Sequence, residues 1–403
     1  MIEYTPKHLV MVTADANNNK YYDMIPNGDV WTAEYGRIGS SSQSRKYCKS
    51  QFETKYYEKI RKGYVDQTDI VRDIITEGIE TKPKYKAIDN INIAEIVERL
   101  QAMAHEAIKA NYTISSNKVT RSMIDEAQSI ITNLLSVCDV ELFNSILVKL
   151  FTVIPRKMQS VSGYIAKSKD DFAGIIKREQ DLLDVMAGQV VEKSVKPKAQ
   201  YDFQCQYTIL DTLGLVFDEC TDDDIAIIKM SLGSSVDKFH KAWRVTNKKT
   251  QERFDSFVRL NNIKDVRLLF HGSRNENWWS IIQKGLVLRP TNAVITGKMF
   301  GYGIYYATKA RKSIGYTSLA GSYWANGNAD SGFVALMSVA YGKPYDVYSF
   351  ESRFHGFDYD SLQSNCPGAN CLHAHAGRML KNDEIIVYKE EQSTIKYLVE
   401  LKG

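Results

Sequence analysis

The sequence predicts a multidomain α+β protein in three parts: a small β-rich domain, an all-α helical bundle and a mixed α+β domain. Three observations predict it. The chain has 403 residues, more than one hydrophobic core usually serves. The hydrophobic period changes along it, from short β-branched and aromatic runs up to about residue 75, to helical spacing over about 90–192, to a mixture from about 201. A polar stretch with a proline, KSVKPKAQ at 193–200, reads as the linker before the last part.

In the first part, HLVMVTADA and DVWTAEYGRIG carry the aromatic and β-branched content of strands. NNNKYY and PNGD read as turns, because Asn and Gly accept the left-handed conformation. SQFETKYYEKIRKGY reads as a helix ending near Gly63. In the second part Ile93, Ile96, Leu100, Met103 and Ile108 recur at helical spacing, and MIDEAQSIITNLLSVC, ELFNSILVKLFTVI and KREQDLLDVMAGQVVEK repeat the pattern. Pro155 stops the third of these helices. The apolar stripes read as core, with nothing in them to suggest a cofactor. In the third part VRLLFHG, GYGIYYAT, GFVALMSVAYG, DEIIVYK and TIKYLVELK are strand candidates, while SVDKFHKAWRV and NENWWSIIQKG are helix candidates.

The formal charge of +4 is mild, so a nucleic-acid partner must be met by a local patch. Six cysteines, mostly far apart, predict a reducing compartment over a disulfide scaffold. MIEYTPKHLV has no apolar signal core, and no stretch approaches the roughly 20 apolar residues of a membrane span. The expectation is a monomer that is neither secreted nor membrane-bound, nuclear in a eukaryotic host and cytoplasmic otherwise.

The chemistry gathers in the last part. VRLLFHG is followed by a serine, so the strand ends in His271-Gly272-Ser273. Gly272 has no Cβ and lets a ligand reach its backbone N–H and C=O; a primary carboxamide suits that pair. His271 can donate to a sugar hydroxyl, although a lone His at a strand end is more often structural. GYG at 301–303 lacks the third Gly of a dinucleotide fingerprint and enters a strand. Tyr305 and Tyr316 offer two rings to sandwich a flat heteroaromatic group, with the Ser313 hydroxyl between them in sequence. Glu384 starts an apolar strand, where a carboxylate either points into a site or is merely solvated at the strand entry.

Together, LLFHGSRNENWWSIIQKGL, MFGYGIYYATKARKSIGY and NDEIIVYKEEQSTIKYLVELK resemble, in order and spacing, the catalytic domain of the poly(ADP-ribose) polymerase family. SNKVTRSMIDEAQSIITNLL and LVKLFTVIPRKM are similar to that family's helical regulatory domain, and the first part resembles its Trp-Gly-Arg (WGR) domain. The resemblance implies a WGR-like domain at 1–75, a regulatory domain at 90–192 and an ADP-ribosyltransferase domain at 201–403. It implies NAD+ as substrate and no required metal. It implies that His271, Gly272, Ser273, Asn277, Tyr305, Ser313 and Tyr316 bind NAD+, and that Glu384 completes a catalytic triad with His271 and Tyr305. In the family a Glu at this place permits polymerisation. Tyr302 and Thr308 depart from residues common in DNA-dependent members, on the acceptor side. The implied partners are DNA strand breaks and protein acceptors, the chain itself included.

In YGRIG, Tyr35 stands where the family signature has Trp, with Trp31 nearby. Arg37 suits bidentate phosphate contact, and Arg45 and Lys46 open a basic run interleaved with tyrosines. The bland alternative is a solvated basic helix. NCPGANCLHAHAG supplies Cys366, Cys371, His373 and His375, donors that suit zinc; the competing reading is a metal-free variable loop. Two further functions stay open at this level: a mono-ADP-ribosyltransferase, and a DNA-binding scaffold with a weak NAD site.

Overall fold

A computed structural model describes residues 2–13, 18–37, 41–68, 85–112, 119–158, 160–194, 206–288, 299–323, 325–378 and 380–403. The chain divides into two compact units, Met1–Lys82 with Glu106–Val190, and Pro83–His105 with Val191–Gly403. Most of the KSVKPKAQ linker and the Thr296–Lys298 end of the GYG segment lie outside the described residues.

The first unit holds a five-stranded antiparallel sheet: β1 Lys7–Thr13, β2 Asn18–Asn27, β3 Val30–Arg37, β4 Gln43–Cys48 and β5 Val65–Asp66, in the order β4-β3-β2-β1-β5. Gly28 has φ +63° and forms the predicted PNGD turn between β2 and β3. NNNKYY is not a turn, because β2 already begins at Asn18. The buried Asn19 side chain donates to the Met158 carbonyl at 3.3 Å, which satisfies a polar residue inside a strand. Helix α1, Phe52–Arg61, covers a core of Leu9, Tyr22, Met24, Trp31, Ala33 and Phe52.

Helices follow where the apolar spacing places them: α2 Ile91–Asn111, α3 Arg121–Leu134, α4 Val140–Val153 and α5 Phe172–Ser194. Thr120 and Asp139 cap α3 and α4 by accepting from the Met123 and Leu142 amides at 3.3 and 2.8 Å. α4 ends two residues before Pro155. α4 packs on β1, and the Gln67 amide donates to the Thr152 carbonyl, so the small sheet and these helices share one unit. The boundary between the units falls inside α2.

The second unit is built on a nine-stranded sheet: β6 Leu215–Glu219, β7 Phe239–Asn247, β8 Val266–Gly272, β9 Ile304–Ala307, β10 Ser331–Ala340, β11 Pro344–Val347, β12 Cys371–Ala374, β13 Glu384–Val387 and β14 Ser393–Lys402. Their order is β11-β12-β13-β9-β8-β10-β14-β7-β6. Only β11 and β12 run parallel. β8 and β9 share a single register pair, Phe270 with Ala307, whereas β8 and β10 pair along seven residues. Helices α6 Ile209–Leu213, α7 Asp222–Leu232, α8 Lys248–Leu260, α9 Trp278–Lys284, α10 Ala310–Ile314 and α11 Tyr359–Asn365 complete it. SVDKFHKAWRV is not a helix: a 3-10 turn, Gly233–Lys238, leads into β7, where Trp243 and Val245 are buried on one face and pair a buried central strand. NENWWSIIQKG does form α9, which buries Trp278, Trp279 and Ile282. The longer, N-terminal part of α2, up to His105, belongs to this unit, and its Arg99 donates to the buried Glu400 of β14 at 2.5 Å. Among the described residues no helix is long and apolar enough to cross a membrane.

Candidate active site

The predicted residues converge where β8, β9 and β13 meet α10. His271 and Gly272 end β8, Tyr305 lies on β9, Glu384 starts β13 and Ser313 lies on α10. The His271 Nδ1 lies 3.1 Å from the Tyr305 carbonyl. A carbonyl only accepts, so Nδ1 carries the proton and Nε2 carries the lone pair. In this tautomer Nδ1 is already engaged as the donor, which corrects the expectation of His271 as a donor to a hydroxyl.

Gly272 is dictated twice over. Beyond the ligand access expected from the sequence, a Cβ at this position would stand 1.9 Å from the Ser313 carbonyl oxygen and 2.7 Å from its carbon. The missing side chain lets the end of β8 lie against α10, which brings the buried Ser313 to the site. The GYG glycines serve the same kind of closeness. A Cβ on Gly301 would meet the Phe357 oxygen at 2.1 Å, and one on Gly303 would meet Ile386 Cγ2 at 2.1 Å. Gly301 also has φ +71°, which other residues rarely adopt.

The Tyr305 hydroxyl accepts from the Phe300 amide at 2.9 Å and donates to the Gly301 carbonyl at 3.1 Å. Burial holds its pKa well above the ordinary phenol value. These bonds fix the ring while leaving its faces to packing. Tyr316 follows one turn after Ser313, its amide donating to the Ser313 carbonyl at 3.0 Å, and its side chain is partly exposed. Asn277 donates to Ser273 Oγ at 3.0 Å, and its own Oδ1 is buried without a hydrogen-bond partner. That orphaned acceptor suits a ligand donor such as a ribose hydroxyl.

β13 pairs with β9 so that Glu384 faces Ala307 and Ile386 faces Tyr305. Side chains two apart on a strand share a face, so Glu384 and Tyr305 are diagonal neighbours on one face. The sequence reading missed the partner of Glu384: the Lys312 ammonium of α10 forms an ion pair with it, both side chains largely buried. Burial pulls the Lys312 pKa down to about 8, with Asp383 opposing. Its only sequence signal is a lysine directly before the predicted Ser313. Tyr302 is partly exposed and Thr308 half-buried, just outside this cluster.

The expected DNA residues of the first unit do not form one surface. Trp31 has no exposed area, donates Nε1 to the Cys48 carbonyl at 3.1 Å and stacks on Tyr47 at 4.7 Å. It is core, and its place among DNA contacts is corrected. Tyr35, Arg37 and Arg45 lie on the same face as the buried Trp31 and Ala33, and Arg45 is exposed where that face reaches the edge strand β4. Tyr35 stacks on Tyr22 at 5.6 Å. Lys46 pairs with Thr32 and points to the opposite face. Lys55 of α1 and Lys62 just after it pair with Glu58, at 2.6 and 2.7 Å, and Lys59 lies over the Tyr22 ring at 3.9 Å.

The zinc candidates also rearrange. Cys371 is buried and its thiol is held protonated by that burial, while Cys366 sits half-buried outside the strand. His373 and His375 instead meet Asp346.

The poly(ADP-ribose) polymerase catalytic domain family matches residues 228–403, and the WGR domain family matches residues 6–71. Poly [ADP-ribose] polymerase-like protein 100L of Invertebrate iridescent virus 6 is 32% identical over 172 residues, 41% of this chain and 87% of the relative. Poly [ADP-ribose] polymerase 2 of Arabidopsis thaliana is 21% identical over 84% of this chain and 58% of its own length. The maize protein of that name is 24% identical over 87% of this chain and 60% of its own length. Fold, cluster and matches define an ADP-ribosyltransferase that takes NAD+ as its substrate. The chain belongs to the poly(ADP-ribose) polymerase family.

Proposed function

We propose that this chain is a poly(ADP-ribose) polymerase switched on by DNA strand breaks, which modifies itself and other proteins and releases nicotinamide. The observation that carries the reading is Glu384, largely buried, paired with Lys312 and diagonal to Tyr305. A buried carboxylate is costly without a partner, and the Lys312 ammonium supplies one and orients Glu384.

In this reading Gly272 and Ser313 hold the nicotinamide carboxamide, and Tyr305 and Tyr316 flank the ring. His271, Ser273 and Asn277 hold the adenosine-side ribose. The bond between nicotinamide nitrogen and ribose C1′ breaks, and its electron pair leaves with nicotinamide. Positive charge builds on the ribose, as in glycoside hydrolysis. The Glu384 carboxylate, bonded to the 2′-hydroxyl, stabilises that charge. An acceptor oxygen then bonds to C1′ and gives its proton to solvent or to Glu384. Removing such preorganised stabilisation costs roughly 100- to 1,000-fold in rate. The same carboxylate polarises the incoming hydroxyl of a growing polymer.

Arg45, exposed on the edge strand β4, supports DNA contact, as does the WGR match. Break binding shifts the helical segments toward locally opened forms and frees the NAD site.

One gel tests this. Purified protein is given labelled NAD+ with and without a nicked duplex bearing a 5′-phosphate. A high-molecular-weight smear only with DNA, collapsing to short products in Glu384→Gln, is the expected result. A single sharp band would replace the polymerase with a mono-transferase. No label in either lane, with the duplex still bound, would leave only a scaffold.

A further inference from the structure

Away from the NAD cluster, we propose that Asp346, His373 and His375 bind one divalent ion of the zinc class. β11 and β12 run parallel with Asp346 opposite His373, and His375 follows two residues later on the same side. The His375 amide donates to the Val347 carbonyl at 2.9 Å, which holds that segment alongside β11. Asp346 Oδ1 is 2.7 Å from His375 Nε2 and 3.8 Å from His373 Nδ1, and the three donor atoms lie within 4.8 Å of one another. Ligand atoms of a tetrahedral zinc site, at about 2.0–2.1 Å from the ion, stand about 3.3 Å apart. Side-chain turns of about 1 Å would close the set with no movement of the strands.

His373 adds an independent observation. It is 9% exposed, its Nδ1 bonds the Tyr341 hydroxyl at 2.8 Å, and its buried Nε2 faces the Asp383 carboxylate. That nitrogen lies 3.4 Å from Asp383 Oδ2, which makes Asp383 the outer partner of the ring. An outer carboxylate on one ring nitrogen, with the other turned to the ion, is how metal-bound imidazoles are held, and the Nδ1 that faces Asp346 would exchange the Tyr341 hydroxyl for the ion. The two imidazoles also stack face to face at 3.9 Å, with Tyr348 stacked on His375 at 4.4 Å. The two rings must part from this stack on binding, so that both in-plane nitrogen lone pairs aim at one ion.

Two imidazoles with carboxylates suit zinc, cobalt or nickel over magnesium or calcium, which prefer all-oxygen sets. The carboxylates take the places that the sequence pattern offered to Cys366 and Cys371. The ion would staple β11 to β12 and reach Asp383, the residue before Glu384. It supplies no step of the transfer reaction.

The test uses the full chain, stripped with a chelator and titrated with zinc chloride alone by calorimetry. One equivalent should bind in the micromolar range or tighter, and at 100-fold excess over Kd the melting temperature should rise by about 5 °C. His375→Ala and Asp346→Asn should each weaken binding at least tenfold. Asp346 is exposed, so its variant stays folded if the histidine variant does not. Cobalt should give a four-coordinate visible spectrum without a thiolate charge-transfer band. No saturable binding would overturn the proposal. So would binding that survives Asp346→Asn but is lost in Cys366→Ser with Cys371→Ser.

Discussion

Replacing Gly272 by Ala tests the most demanding contact of the NAD cluster. The added methyl would start 1.9 Å from the Ser313 carbonyl oxygen and 2.7 Å from its carbon. Ordinary carbon contacts are about 3.5 Å, so one backbone must retreat from the other by more than about 1 Å. Neither partner is a flexible side-chain end. Gly272 is pinned by its pairing with Val334 on β10, and the Ser313 carbonyl receives the Tyr316 amide. Overpacking of this kind costs about 1–3 kcal/mol. For the second unit that is a fall in melting temperature of about 2–12 °C. A shift of about 1 Å in Ser313 and Tyr316 also misplaces the groups proposed to hold nicotinamide, which costs about 100-fold in kcat/KM. Gly163→Ala is the control, since a Cβ there meets nothing within 4 Å. The assays are thermal melting and nicotinamide release from NAD+. Wild-type melting and wild-type kcat/KM in Gly272→Ala would refute the reasoning.

Lys312→Met should lower nicotinamide release by 100-fold or more at neutral pH while the protein stays folded. In the wild type, activity should fall as pH rises through about 8, where the Lys312 ammonium loses its proton, and Lys312→Met should lack that limb. The stability effect has the opposite sign. Between about 8 and the ordinary lysine value of 10.5 the unfolded chain holds the proton more tightly, so wild-type stability should rise with pH relative to Lys312→Met, by up to about 3 kcal/mol in denaturant titrations. Trp31→Ala should destabilise the first unit by about 3–5 kcal/mol, as expected of a fully buried Trp. Arg45→Ala should leave melting unchanged and weaken duplex binding, with a shallower salt dependence by about one unit of slope.

What the sequence could give was what local chemistry fixes. Helical spacing in α2 to α5, the strands ending at Gly272 and starting at Glu384, and α9 were all readable from period and punctuation. β4 was not, because its QSRKYC residues are exposed or half-buried on an edge and show no apolar alternation. β7 was misread because FHKAWRV keeps polar residues between its buried ones, a spacing that suits either a strand or a helix. Trp31 was misplaced because an aromatic near basic residues looks the same in sequence whether it is buried or exposed. Lys312 escaped notice because its partner Glu384 is 72 residues away, and only the packing of α10 on the sheet brings them together. Asp346 escaped for the same reason, since parallel pairing of β11 with β12 carries no local mark.

The single register pair between β8 and β9 has a mechanical meaning. The nine strands behave as two plates joined along a narrow seam, with His271 and Gly272 on one and Tyr305 and Glu384 on the other. In the proposed binding mode a dinucleotide gripped from both plates would act as a clasp across that seam. Occupancy should therefore stiffen the whole domain more than filling a pocket inside one plate would. A mutation that loosens the seam should weaken the grip on both ends of the substrate together.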